Sequence, residues 1–405
     1  MKKTVIVVGG GASGMAAAIT AARGGASVTI LEHTPRLGKK LLSTGNGKCN
    51  LTNLSMPKDA YRGTDRNIIC QVLQKTGVEE TLKFFRGIGI VTTDRNGYVY
   101  PASGQASSVL DALRFELEHL GVNILYSCHV KRILPGMTVE TSEGRRKADA
   151  VILCAGSKAA PSTGSDGSGY KLAADCGHRI VKPLPALVQL RCQGKWHKQA
   201  AGVRAEAKVT LLSDGKALAS DQGEVQFTDY GISGIPVFQV SRYGVRALEE
   251  GRRVTAVLDL CPEIGERELK KFLENRKNML SYRPAEEFLN GMINKKLAGV
   301  VLKEAGIGFS GRTGQIGEEA IEKLARKMKN LTTQVTASNP FENAQVCSGG
   351  VDLREIHPET MESRRMKHLY LAGEILDVDG ICGGYNLQWA WSSGMLAGKS
   401  AGGNL

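Results

Sequence analysis

Three groups of residues in this chain have the types and spacing that chemistry needs. The first is Gly9-Gly10-Gly11-Ala12-Ser13-Gly14 together with Glu32. Gly9, Gly11 and Gly14 fit G-x-G-x-x-G: the first glycine permits a tight turn, the second lets backbone approach a pyrophosphate, and the third lets a helix pack close to a strand. An acid about 20 residues beyond such glycines accepts hydrogen bonds from ribose hydroxyls. The second group lies near the other end, at Gly373-Glu374, Asp377, Gly383-Gly384 and Asn386-Leu387. An acid in such a turn accepts from a polyol hydroxyl, paired glycines let backbone approach a planar ring, and a helix start turns its positive end toward negative charge. The third is a lysine- and glycine-rich loop. Lys39, Lys40 and Leu41 are its expected pyrophosphate contacts, and Asn46, Gly47, Lys48, Cys49 and Asn50 follow.

The elements that must position these groups are legible. Thr4–Val8 is a β-branched run, as in a strand buried on both faces of a parallel sheet. Residues 15–23 read as an alanine-rich helix whose amides and dipole face phosphate. Ser27–Leu31 reads as a second strand, and it runs into Glu32. Residues 150–156 read as a further buried strand entering a glycine turn at Ala155 and Gly156, and Val130 stands where a backbone contact to adenine is expected. Strand, helix, strand and terminal acid together specify a dinucleotide with an unphosphorylated adenosine ribose. Because residues near both ends are built to hold one cofactor, the expected group is FAD.

The expected fold class is α/β. A discontinuous Rossmann-like FAD-binding domain carries an inserted antiparallel β domain, a small barrel, with a nested helical domain inside it. The FAD domain takes residues 1–187 and 346–405. The β domain takes 188–263 with a return strand at 332–345, and the helical insert takes 264–331. Alternating apolar and polar residues with Gly and Asp turns mark the β part; apolar residues at helical spacing mark the helical part.

Composition bounds what this fold can be asked to do. The chain has 405 residues, 42% of them hydrophobic, enough for two or three domains with a sizeable core. No apolar run reaches the roughly 18 residues of a membrane span. The opening Met1-Lys2-Lys3 and apolar stretch resemble a signal peptide, but glycines interrupt it and form the nucleotide loop, so the expected location is cytoplasmic. Nine cysteines occur singly, with no C-x-x-C and no His cluster at metal spacing, so free thiols and no metal are expected. The net charge is +13. Lysines and arginines fall mostly in mixed-charge clusters at helical spacing, which reads as solvated helix faces, and no RNA-binding signature accompanies them. A small molecule rather than nucleic acid is therefore the expected partner.

Five segments resemble the BaiN-type family of bacterial NAD(P)/FAD-dependent flavoproteins. They are GKKLLSTGNGKCNLTN (38–53), GYVYPASGQASSVLDAL (97–113), STGSDGSGY (162–170), EVQFTDYGISGIPV (224–237) and AGEILDVDGICGGYNLQWAWSSG (372–394). The resemblance implies a fold related to the fumarate reductase and ketosteroid dehydrogenase group. It also implies an NAD(P)H-dependent reductase of carbon–carbon double bonds conjugated to a keto group, in keto-steroid, bile-acid-like or other enone substrates; Lys48 and the basic charge add the expectation of a steroid-like or anionic small molecule. The family pattern usually has Arg where Lys48 stands and often His where Asp229 stands.

Reducing such a bond takes hydride at the β carbon and a proton at the α carbon. Tyr385 is the first candidate proton donor, with Tyr230 and Asp229 next. Lys48 is a candidate for an anionic substrate group or for the reduced cofactor. Cys382 and Cys49 are thiols near the expected flavin, although disulfide reductases carry a close pair that is missing here. Two other readings stay open. One is a fumarate-reductase-like dehydrogenase with a non-pyridine donor, and the other, motivated by the charge, is an RNA-binding flavoprotein.

Overall fold

The computed structural model describes residues 2–403. The chain divides into two compact units, Met1–Leu184 with Ala344–Leu405 and Pro185–Asn343. The first unit has the Rossmann-like α/β architecture. Its five-stranded sheet runs in the order Leu369–Leu371, Ala150–Leu153, Thr4–Val8, Ser27–Leu31, Asn123–Leu125. Every neighbouring pair is parallel, with Val5 opposite both Ala150 and Val28. The β-branched Thr4–Val8 strand takes the centre, where Val5, Ile6, Val7 and Val8 are buried, as a strand covered on both faces requires.

The first helix, Ala12–Arg23, starts where the glycine loop ends. It packs along the last one, Tyr385–Gly402. Close approach is written into both sequences at a four-residue spacing. A Cβ at Gly394, Gly398 or Gly402 would run into the backbone of Ser13, Ala17 or Ala21 respectively. Residues four apart share a helix face, so one glycine stripe meets one small-residue stripe. The two ends of the chain are joined through this seam. Trp389 and Trp391 are buried on the last helix, and their indole N–H groups donate to the carbonyls of Gly373 (3.2 Å) and Leu51 (3.0 Å).

Smaller sheets decorate this unit. Val130–Leu134, Thr138–Thr141 and Gly144–Lys147 form one antiparallel sheet, and Thr52–Asn53, Tyr98–Pro101 and Thr92–Arg95 form another. Val378–Gly380 pairs with Tyr61–Gly63.

The second unit contains a closed six-stranded barrel of Leu190–Cys192, Gly231–Ser233, Lys216–Thr228, Arg204–Ser213, Val254–Asp259 and Leu331–Ser338, every pair antiparallel. Ile235–Glu249 is a helix with Pro236 in its first turn, which suits a residue with no N–H to leave unpaired. Between the Val254–Asp259 and Leu331–Ser338 strands the chain makes three helices, Glu266–Met279, Lys295–Glu304 and Glu318–Lys329.

Candidate functional site

The glycine loop is built from close backbone packing on one side and open space on the other. Gly9 has φ +102°, and a Cβ there would lie 2.5 Å from the Cys154 carbonyl oxygen. A Cβ on Gly14 would overlap the Gly9 carbonyl, so the helix can approach the strand only without one. At Gly11 a Cβ would meet nothing within 4 Å. The loop is thus sealed inward and open outward, as a pyrophosphate cradle must be. The amides of Ala12, Ser13 and Gly14, at the start of the helix, have no intrahelical acceptor and add its positive end. Ala155 and Gly156 close the far side: Gly156 has φ +73°, and Ala155 lies against the position of Gly9.

Glu32 is buried at the end of its strand. Its carboxylate accepts from the Gly10 and Thr34 amides, each at 2.7 Å, which fixes both oxygens at the mouth of the loop. His33 lies 3.4 Å from the same carboxylate, and its ring is 5.6 Å from that of His129, the residue before Val130. Sequence reading named Val130 but neither histidine. The pair becomes visible only when the turn after Glu32 meets the start of the Val130–Leu134 strand.

Further along the groove, Lys39 donates to the Ser162 carbonyl at 3.1 Å and Leu41 is buried. Lys40 and Glu374 form an ion pair at 2.6 Å, and the Ser157 hydroxyl donates to the same Glu374 oxygen at 3.2 Å. Two segments 334 residues apart are linked at this point. Asp377 is buried among backbone donors: it accepts from the Gly349 amide at 2.9 Å and from the Thr64 hydroxyl. Ser157 is a partner for Glu374 that the sequence reading did not name.

At the other end the polypeptide turns through left-handed backbone. Gly383 and Gly384 have φ +120° and +93°. Asn386, in the first turn of the following helix, ties it back to the Val378–Gly380 strand by accepting from the Gly380 amide (2.8 Å) and donating to its carbonyl (3.0 Å). The amides of Tyr385, Asn386 and Leu387, in the first turn, have no intrahelical acceptor. In the amide orientation that satisfies both its ends, Asn50 donates to the Thr52 and Val99 carbonyls and accepts from Gly384 N–H at 3.2 Å. Asn46, Gly47 and Cys49 also have positive φ, so all but Lys48 of this stretch is held in conformations that favour glycine. Lys48 is exposed there, while Cys49 is fully buried and burial pushes its thiol up to about 12.

Tyrosines ring this end. The Tyr385 hydroxyl donates to the Ser55 carbonyl at 3.0 Å, its ring meets Tyr61 edge-on, and burial beside Tyr98 and Asp59 raises its pKa. Tyr98 faces the Gly383 position and Tyr100 faces Gly45. Burial, with Tyr98 nearby, also raises the Tyr100 pKa. Tyr98 and Tyr100 were missed, although they alternate on one strand and so share a face, a signal available in GYVYP. Cys382 is half-buried beside the glycine pair. Asp229 and Tyr230 belong to the second unit, between two barrel strands. Asp229 is exposed, and the Tyr230 hydroxyl accepts from the Asn339 side chain at 3.2 Å.

The residues present fit an FAD. A cradle open only at Gly11, a buried acid at the ribose position and an unpartnered helix start beside two left-handed glycines match the dinucleotide and ring ends of that cofactor. Among the described residues, no group of three or more His, Cys, Asp or Glu could hold a metal ion, and the nine cysteines are free. Among the described residues, no helix is long and apolar enough to cross a membrane.

Comparison with known proteins agrees with this geometry. The 3-dehydro-bile acid delta(4,6)-reductase of Clostridium scindens is 45% identical over 400 residues, 98% of this chain and 98% of that protein. A ribosomal RNA dihydrouridine synthase of Haemophilus influenzae is 26% identical over 406 residues, 96% of each. Among solved structures, the 3-ketosteroid delta1-dehydrogenase of Sterolibacterium denitrificans matches in fold with a TM-score of 0.52 at 12% identity, covering 100% of both chains. The model of the HI0933-like protein Rossmann domain matches residues 3–400. The chain belongs to that HI0933-like, BaiN-related family of Rossmann-fold flavoproteins.

Proposed function

We propose that this protein is an FAD-dependent oxidoreductase that reduces a carbon–carbon double bond conjugated to a carbonyl, with NAD(P)H as electron donor. The observation that carries the reading is the two-ended cradle: the Gly9–Gly14 loop with Glu32 at one end, and the Gly383–Leu387 helix start at the other. The 45% identity with a bile-acid reductase over nearly the full chain supports the same chemistry and a steroid-like enone as substrate.

Bound FAD supplies a hydride donor and a ring that carries negative charge once reduced. The chain's own residues do the rest. The Gly11 to Gly14 amides and the lysines at 39 and 40 would hold the diphosphate, and Glu32 would orient the ribose. The first-turn amides of Tyr385, Asn386 and Leu387 hold negative charge at the ring, as a helix N-terminus does. Glu374, already held by Lys40, accepts from the polyol chain. The substrate's α carbon needs a proton from an acid that stays protonated until used. Tyr98 and Tyr100 offer phenols at the two glycine loops. Tyr385 can do so only by releasing the Ser55 carbonyl. Cys49, with its thiol pushed up to about 12, packs rather than reacts.

A second reading is favoured by one observation, the net charge of +13. The C5–C6 double bond of uracil is conjugated to the C4 carbonyl, so it is an enone in the same sense. A family relative is a ribosomal RNA dihydrouridine synthase, and a basic protein suits a polyanionic substrate.

The test is anaerobic stopped-flow of the yellow protein with NADH and then NADPH, following absorbance near 450 nm (an approximate wavelength, set by the cofactor). Bleaching by one of them supports the donor. No bleaching with FAD bound removes it. Turnover of the reduced enzyme by a Δ4-3-ketosteroid or by uridine-containing RNA then separates the two substrate classes.

A further inference from the structure

One buried amide in the second unit arranges three accessible side chains so that donors are left over. Asn339, 6% exposed, follows the Leu331–Ser338 strand. Its side-chain oxygen accepts from the Arg191 guanidinium at 3.2 Å. A guanidinium can only donate, so this bond fixes which end of the Asn339 amide is oxygen. The amide nitrogen then points the other way. It donates to the Tyr230 hydroxyl at 3.2 Å and to the Gln189 side-chain oxygen at 3.4 Å. Both of those acceptors are engaged. What remains are the Tyr230 O–H, the Gln189 amide N–H groups and the other N–H groups of Arg191.

The barrel brings these residues together. Leu190–Cys192 lies between Gly231–Ser233 and Leu331–Ser338, and Arg191 stands opposite Gly231 on one side and Ala337 on the other. Directly opposed residues of paired strands share a face. With no side chain at one position and a methyl at the other, the neighbouring strands leave the guanidinium uncovered. Tyr230 precedes Gly231, and its ring centre lies 5.3 Å from the guanidinium carbon, which holds the fork from a second side.

The charge of Arg191 is not cancelled. The acids beside these residues in the chain are Asp229 and Glu342, both exposed. Among the described residues, neither they nor any other acid forms an ion pair with Arg191. One positive charge with two neutral donors beside it matches a single carboxylate. The planar fork takes its oxygens, and the phenol and carboxamide serve the remaining lone pairs. A phosphate monoester carries about −1.5 to −2 charge, which this one cation would leave partly unmatched.

We infer that Gln189, Arg191 and Tyr230 form a subsite for a carboxylate, with Asn339 as the residue that positions them. The inference rests on the enone reading above in naming the ligand, an enone that also carries an acid group. It adds the side chains that choose the acid over a neutral analogue.

The test uses the FAD-loaded protein and two probes that differ in one group: a Δ4-3-ketosteroid with a side-chain carboxylate, and its methyl ester. Isothermal titration calorimetry gives both affinities. The wild type is expected to bind the acid about 10- to 100-fold tighter than the ester, as one hydrogen-bonded charge contact is worth. Arg191→Met should bring the acid down to the affinity of the ester, and Arg191→Lys should recover only part of the difference. Tyr230→Phe, which removes only the O–H, and Asn339→Ala should each narrow the difference. Equal wild-type affinities overturn the proposal, and so does a wild type that binds neither probe. Variants that weaken acid and ester alike also overturn it, because a purely structural role does that. Weaker NADH or NADPH binding in Arg191→Met, with acid binding unchanged, assigns the donors to nucleotide phosphates and overturns it too. A preference for the acid that Arg191→Met abolishes, without reduction of either probe by NAD(P)H, removes the reductase reading and leaves the subsite. Reduction of both probes with equal affinities does the reverse.

Discussion

Two alanine substitutions three residues apart, at Gly11 and Gly14, separate what the glycine loop does for the fold from what it does for the cofactor. At Gly14 a Cβ would sit 1.9 Å from the Gly9 carbonyl oxygen and 3.4 Å from the Cys154 Cβ, so Gly14→Ala must push the first helix off the sheet. Forcing one carbon into such packing costs about 1–3 kcal/mol. At Gly11, φ is −80° and ψ −168°, ordinary extended backbone, and the added carbon meets nothing within 4 Å. Gly11→Ala should leave the apoprotein as stable as wild type or about 0.4–1 kcal/mol more stable, through a less flexible unfolded chain. Its methyl group would occupy the space the pyrophosphate needs. Losing one charge-assisted hydrogen bond, at about 1.5–3 kcal/mol, weakens FAD roughly 10- to 100-fold. The assays are urea unfolding of the apoprotein and flavin fluorescence titration. Wild-type FAD affinity in Gly11→Ala, or unchanged apoprotein stability in Gly14→Ala, would refute the reading of the loop.

Three further outcomes are expected. Gly398→Ala should lower stability by about 1–3 kcal/mol, because the new carbon would overlap the Ala17 carbonyl; urea midpoints check it, and an unshifted midpoint counts against the helix seam. Burial holds the His197 pKa at about 4, below the ordinary 6.5, so the folded protein takes up a proton less readily than the unfolded chain. Stability from this residue is complete above pH 6.5 and falls as pH drops toward 4, by up to about 3 kcal/mol, and the slope should be smaller in His197→Gln. Parallel pH–stability curves for the two proteins would exclude the effect. Because the Cys49 thiol is pushed up to about 12, the native protein at pH 8 should resist iodoacetamide at Cys49, and Cys49→Ala should keep NAD(P)H-dependent turnover within about twofold. Rapid alkylation mapped to Cys49 would point to a reactive thiolate.

The α/β architecture and its glycine cradle were legible because backbone geometry there is dictated locally. A β-branched run, glycines where φ must be positive or a Cβ would collide, and an acid at a fixed distance leave few alternatives. Residues whose role depends on distant partners were not legible. Tyr98 and Tyr100 matter because Gly383 and Gly45 lie opposite them, and His33 matters because His129 comes to its side. Gln388, in the last helix, is not singled out by the sequence. In the structure its side chain accepts from Thr52 and donates to Thr81 and Ser392, bracing the helix against the Thr52–Asn53 strand and the Val78–Gly87 helix.

The seam between the Ala12–Arg23 and Tyr385–Gly402 helices has a consequence for how the protein is made. On the ribosome the glycine loop emerges first, and the Leu369–Leu371 strand and the glycine-striped helix that complete its unit emerge last. At about 5–20 residues per second, the first half of the cradle waits tens of seconds for its second half, with Ser13, Ala17 and Ala21 uncovered on the face that Gly394, Gly398 and Gly402 will take. The Pro185–Asn343 unit has all its strands out before that and can close its barrel during the wait. FAD capture is thereby tied to synthesis of the Tyr385–Gly402 helix. Nascent chains stalled before residue 369 are expected to retain no flavin, and retention by such chains would show that the N-terminal half binds the cofactor alone.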